Sequence, residues 1–330
     1  MTQQTGPEID IRRRRDRGGV GMSDRRLRTL VRRGDVHRVV AGSFVPGGAW
    51  KKLTPLQRHL VTVVEVAEHA RSPQVYMGSA AAAVWGIDRV EAWPRGVAVR
   101  VARTTGGRST GNVIRRALGF DGVELVEWHG HLVTSPAQTA IDLAADAGFM
   151  AGVVAMDQAL WARREGGPLT TVDEILTLLD QQTRRGRGRA RAALDFSTSL
   201  ADSVRESEAR VLIDRLGFPS PVLQKEFRLD QGRRARSDFY WEDFDHVGEF
   251  DGTGKYFDPD ILQGRTPEQA LLDEKDRGDQ LRRRVKGMSR WRTDAHRNPQ
   301  LLYDILTGDG LPSRLPRPRE RAAQAPRNSR

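Results

Sequence analysis

Apolar residues recur at Leu27, Leu30 and Val31, the i, i+3, i+4 spacing of one helical face, and Arg25, Arg26, Arg28, Arg32 and Arg33 surround that stripe. The spacing predicts a helix over 24–33, capped by Ser23 and ended by Gly34. Upstream, residues 8–17 read as a helix broken by Gly18-Gly19. Downstream, β-branched residues over 36–45, interrupted by Ala41-Gly42, read as a hairpin. Helix, glycine turn, basic helix and hairpin predict a winged helix-turn-helix over 1–52. The alternative is a small basic helical cap on a larger fold.

From 53 to 182 the pattern is mixed α/β. Thr54-Pro55 opens a helix to about 70, and an alanine-rich helix over 79–84 is closed by Trp85-Gly86. Strands follow over 97–101 and 112–116, and Ser135-Pro136 opens a helix to 147. His129 and His131 have no carboxylate company and read as strand or turn residues. The alternating Arg and Gly of 183–193 weaken a helix, so 183–202 reads as a basic linker. Residues 203–310 then form a separate unit: a helix over 203–216 ended by Gly217, strands over 237–241 and 247–251 around an acidic turn, a helix from Thr266-Pro267 to about 285, and, after Gly287, a strand over 288–293. Residues 311–330, rich in Pro and Arg, read as a disordered tail. The fold class expected is α/β (α+β).

Composition adds a partner. The 330 residues carry a formal net charge of +11, which suits a polyanion, because each phosphate neutralised releases counterions. A GC-rich genome that writes arginine wherever a cation is tolerated would give the same excess. The absence of Cys excludes disulfides, thiolate metal sites and Cys nucleophiles. No run approaches 18 apolar residues and the start has no apolar core, so the expectation is a soluble cytoplasmic protein with no membrane partner.

Candidate chemistry lies in residues 236–256. Alternation puts Glu249 and Asp251 on one face of a strand, and hairpin pairing brings Asp238 beside Glu249. Three carboxylates on one surface repel unless a cation sits among them, and hard oxygen ligands select Mg²⁺ or Mn²⁺. Such a site suits metal-assisted phosphodiester hydrolysis, whereas solvated charges on an exposed acidic hairpin would mean nothing. Glu206 is a fourth acid, or merely the far end of a capping box with Ser203.

Two resemblances rest on these residues. SDRRLRTLVRRGDVHRVVAGSFV, GSAAAAVWGI and VTSPAQTAIDLA resemble AbiEi-type antitoxins of type IV toxin-antitoxin systems over about 8–160, with Gln138 where Arg is common. That resemblance implies a winged helix binding operator DNA through Arg25, Arg26, Arg28, Arg32, Arg33 and Arg38, and a cognate toxin as possible partner. ESEAR, SDFYW, EFDG and EKDRGDQLR, over about 203–306, are similar to Vsr-type PD-(D/E)XK nucleases. This implies Asp238, Glu249 and Asp251 as Mg²⁺ (or Mn²⁺) ligands and Glu206 as the helix acid. Asp251 stands where the family's lysine usually lies, so Lys255 or Lys275 would supply the catalytic cation. The expected function is a DNA-binding protein with an Mg²⁺-dependent endonuclease domain acting on double-stranded DNA. The alternative is a non-catalytic, antitoxin-like repressor that uses the nuclease fold for binding.

Overall fold

The computed structural model describes residues 3–4, 6–13, 24–105, 109–252 and 266–319. The chain is mixed α/β and divides into two compact units, Met1–Ser199 and Leu200–Arg330. No helix among the described residues is long and apolar enough to cross a membrane.

In the first unit, β1 (Arg12–Arg13), α1 (Asp24–Arg33), β2 (Val36–Val40) and β3 (Ser43–Pro46) are followed by α2 (Gly47–Lys52) and α3 (Pro55–Glu68). β1, β3 and β2 form an antiparallel sheet in that order. The basic helix and the hairpin fall where the spacing puts them, and Gly34 takes the left-handed φ of 79° that a helix-ending glycine supplies. Residues 8–17 are a correction: no helix forms over 8–13, and Arg12 and Arg13 pair with Phe44 and Ser43. The reason is tertiary. Arg13 forks onto Glu65 of α3, with Nε–Oε2 at 3.0 Å and Nη2–Oε1 at 2.7 Å, and Glu65 is 0% exposed. Gly18, Gly19 and Ser23 lie outside the described residues.

Beyond α3, whose Thr54 and Gln57 form a reciprocal capping box, come β4 (Val75–Tyr76), α4 (Ser79–Trp85), β5 (Val97–Val101), β6 (Val113–Ala117), β7 (Leu125–Trp128) and β8 (His131–Thr134). Their sheet runs β6-β5-β4-β8-β7, parallel at β5/β6 and β4/β8 and antiparallel elsewhere. α4 is buried along its length, and its alanines let it pack against α3, β5 and α5 (Pro136–Asp146). His129 sits in the β7–β8 turn at φ 49°, and His131 accepts the Gln74 amide. Both are turn and strand residues, as read.

α6 (Phe149–Leu160), α7 (Val172–Asp180) and α8 (Arg187–Phe196) complete this unit. The expected basic linker is therefore overturned, since α8 packs on α5 and α6 through buried Ala190, Ala193 and Leu194. Its arginines have local work: Arg184 bonds Asp142 and Asp146, Arg187 pairs with Asp180, and Arg191 with Asp195. Local glycine content lost to an apolar face that pattern reading overlooked.

The second unit contains α9 (Val204–Arg215), β9 (Val222–Arg228), β10 (Arg234–Trp241), β11 (His246–Phe250), α10 (Pro267–Arg282), β12 (Gly287–Trp291), α11 (Thr293–Arg297) and α12 (Pro299–Gly308). Its sheet runs β12-β11-β10-β9, antiparallel except where β12 joins β11 parallel after the α10 crossover. Phe239, Trp241 and Trp291 fill the core. α10 ends at Arg282, short of the expected 285, and Gly287 begins β12. Residues 311–319 correct the expected tail: Leu311 is 2% exposed, Ser313 bonds the Leu216 carbonyl, and Arg317 forks onto Asp304. Residues 320–330 lie outside the described set.

Replacing Arg13 by Met should destabilise the first unit by about 2–3 kcal/mol, because it strands a buried charge. Burial works to raise the Glu65 carboxyl, but Arg13 outweighs it and holds it below its ordinary range. A depressed acid stabilises the fold above the unfolded value of roughly 4.3 and loses that contribution as pH falls. Melting curves from pH 7 to 3 should thus converge for wild type and Arg13→Met at the acid end.

Candidate functional site

Leu27 and Leu30 of helix α1 are half-buried, Val31 is 37% exposed, and the charged side of the helix faces water. Arg25, Arg26, Arg28, Arg32 and Arg33 are all exposed, as is Arg38 on β2. Leu27, Val31 and Phe44, with Arg28, Arg32 and Arg38, line an open groove of about 410 Å³ between α1 and the hairpin. Exposed guanidiniums along one helix, next to a hairpin that carries another, form a basic surface.

The acids of the second unit are distributed differently from the expected cluster. Register sets Asp238 of β10 opposite Glu249 of β11, since Phe239 pairs with Gly248 and Tyr240 with Val247. Their partners then separate them. Asp238 is half-buried, and its Oδ2 accepts the Phe250 amide at 2.9 Å. Glu249 is 4% exposed with both oxygens held: Arg277 Nη1 lies 2.9 Å from Oε1, and Arg290 Nη2 lies 2.6 Å from Oε2. Arg277 also forks onto Glu274, with Nε–Oε2 at 2.7 Å and Nη2–Oε1 at 2.6 Å. Burial works against the Arg277 charge, but Glu274 and Glu249 outweigh it and hold the group protonated.

Asp251 follows β11, half-buried, with its amide bonded to the Trp291 carbonyl at 2.8 Å. Lys275 is exposed on α10. Lys255 lies outside the described residues. Among the described residues no group of three or more His, Asp or Glu could hold a metal ion. A three-carboxylate Mg²⁺ site through Asp238, Glu249 and Asp251 does not fit these residues, because arginines already occupy the ligand oxygens of Glu249.

Glu206 lies within electrostatic reach of Asp238. Ser203 caps α9 through the Glu206 amide, but the Glu206 carboxylate passes over the Ser203 amide and takes the Asp202 amide, the Ser203 hydroxyl and the Gln224 amide, each at 2.9 Å. This corrects the reciprocal capping box. Burial, and then the charge of Asp238, push the Glu206 carboxyl up to about 7. Gln224 faces Asp238 between the paired Lys225–Ser237 and Leu223–Phe239, at a left-handed φ of 56°. A non-glycine residue held there inside a strand stores strain. Gln224, Arg277 and Arg290 are the site residues that pattern reading missed. The i, i+3 pair Glu274–Arg277 was the available signal for one of them.

No family model matches the chain. It is similar to two proteins of Mycobacterium tuberculosis, "Uncharacterized protein MT2308" of strain CDC 1551 / Oshkosh and "Uncharacterized protein Rv2248" of strain ATCC 25618 / H37Rv. Each is 31% identical over 147 residues, 44% of this chain. The chain spans about half the length of these relatives, 52% of each.

An acid raised in the folded state favours folding less as pH rises, since the native form holds a proton that the unfolded form has lost. The stability of the second unit should therefore fall by about 1–3 kcal/mol between roughly pH 4.5 and 8. Asp238→Asn removes the repulsion but not the burial, so the melting profile should flatten in part over that window.

Proposed function

We propose that this protein binds double-stranded DNA through α1 and the β2–β3 hairpin, as an antitoxin-like repressor that reads operator DNA. One observation carries the reading: α1 presents five exposed arginines and runs straight into a hairpin whose sheet is ordered β1-β3-β2. A helix followed by such a wing is how winged helix-turn-helix domains put basic side chains into a groove and onto its phosphates. The net charge of +11 and the resemblance of residues 8–160 to AbiEi-type antitoxins support the same partner. A cognate toxin is the second partner that this reading implies, and the cytoplasm is where both would be met.

The second unit is read as a PD-(D/E)XK-type fold used for binding. Its order of helix, three antiparallel strands, crossover helix and a parallel fourth strand supports that reading. An Mg²⁺-dependent endonuclease is the second reading; it would need a metal held at Asp238 without Glu249, and the electrostatic coupling of Glu206 to Asp238 favours it. Plasmid cleavage that requires Mg²⁺ and disappears in Asp238→Asn would establish it over the repressor.

Replacing Arg25, Arg28 and Arg32 together by Ala should weaken duplex binding by one to several orders of magnitude, and lower the log-log salt slope by roughly one unit per lost phosphate contact. Fluorescence anisotropy on labelled duplex over a salt series measures both. An unchanged slope removes α1 from the interface.

A further inference from the structure

We propose that Glu249 is the centre of a closed ion-pair lock and takes no divalent cation, its countercharge being built in as Arg277 and Arg290. The proposal concerns the second unit alone and is independent of DNA binding by α1. Four side chains make the lock. Glu249 comes from β11, Arg290 from β12, and Glu274 and Arg277 from α10, so it joins three elements that meet only in the folded chain. Two carboxylates balance two guanidiniums, and Arg290 also approaches Glu274 at 3.6 Å.

The backbone is arranged to admit these groups. Parallel pairing places Glu249 beside Arg290 in register. Gly278 lies inside α10, where glycine weakens a helix. A Cβ there would stand 2.7 Å from Nη2 of Arg290, so the missing side chain is the space the guanidinium occupies. Gly278 thus serves the same lock from the helix side.

A metal ion at Glu249 would have to displace these charge-assisted bonds and leave two guanidiniums beside a divalent charge. Mg²⁺ also demands near-octahedral oxygen ligation and gives up its water reluctantly. Glu249 is 4% exposed and its two oxygens are already bonded, so the lock outcompetes the ion. Removing the carboxylate would instead leave Arg277 and Arg290, both half-buried, with Glu274 as the one acid of the lock between them.

The test uses the full chain and two readouts, thermal melting and titration with Mn²⁺ alone. Glu249→Gln should lower the melting temperature by roughly 5–10 °C, while any Mn²⁺ affinity of the wild type stays within about twofold. Arg290→Gln removes one of the two cations on Glu249 and should also lower the melting temperature. It serves as the test if Glu249→Gln does not fold. An unchanged melting temperature in either variant, or an Mn²⁺ affinity that falls about tenfold or more in Glu249→Gln, overturns the proposal.

Discussion

Glu65 and Asp142 are 0% exposed and Glu249 is 4% exposed. A carboxylate at that depth either finds a cation at bonding distance or gives up its charge. Each meets arginine from a distant part of the chain. Arg13 ties β1 to α3, Arg184 and Arg100 meet on Asp142 of α5, and Arg277 and Arg290 close α10 and β12 onto β11. The outcome depends on the balance of terms. At Glu65 the arginine outweighs burial, whereas at Asp142 burial outweighs Arg184 and Arg100 and the carboxyl titrates above its usual range. These contacts hold segments that local propensity leaves undecided, such as residues 8–13.

The same constraint changes what the positive charge means. Many arginines are internal counter-ions or close local pairs, among them Arg13, Arg184, Arg187, Arg191, Arg277, Arg290 and Arg317. Net charge alone cannot therefore point to a surface. The exposed arginines of α1 can, because they lie along one helix beside a hairpin. In the second unit Arg277 and Arg290 turn onto Glu249, so one of the acids that looked like a metal site is consumed by them. What stays unusual there is the pair Glu206 and Asp238, with Gln224 of β9 strained as it donates to the helix acid.

Elements with a strong local signature were legible: α1, the hairpin after it, α3, α5, α9, β5, β10 and β11 all fall close to where periodicity and caps place them. Thr54-Pro55, Ser135-Pro136 and Thr266-Pro267 mark helix starts because the missing proline donor and the hydroxyl acceptor suit the first turn. Short strands such as β4 and β7 have too few residues to show alternation. α8 was obscured by its glycines, and β9 by a polar, mostly half-exposed sequence.

By itself the sequence determined the mixed α/β class, the basic helix with its hairpin, the positions of the caps, and the register that sets Asp238 opposite Glu249. These depend on period, turn chemistry and neighbours a few residues away. Only the tertiary structure decided which charges meet. Glu249 and Arg290 are 41 residues apart and Arg13 and Glu65 are 52 apart, and no local pattern encodes such a pairing. Whether a carboxylate is a ligand or an anchor depends on the cation that reaches it first, and the fold supplied that cation from β12 and α10.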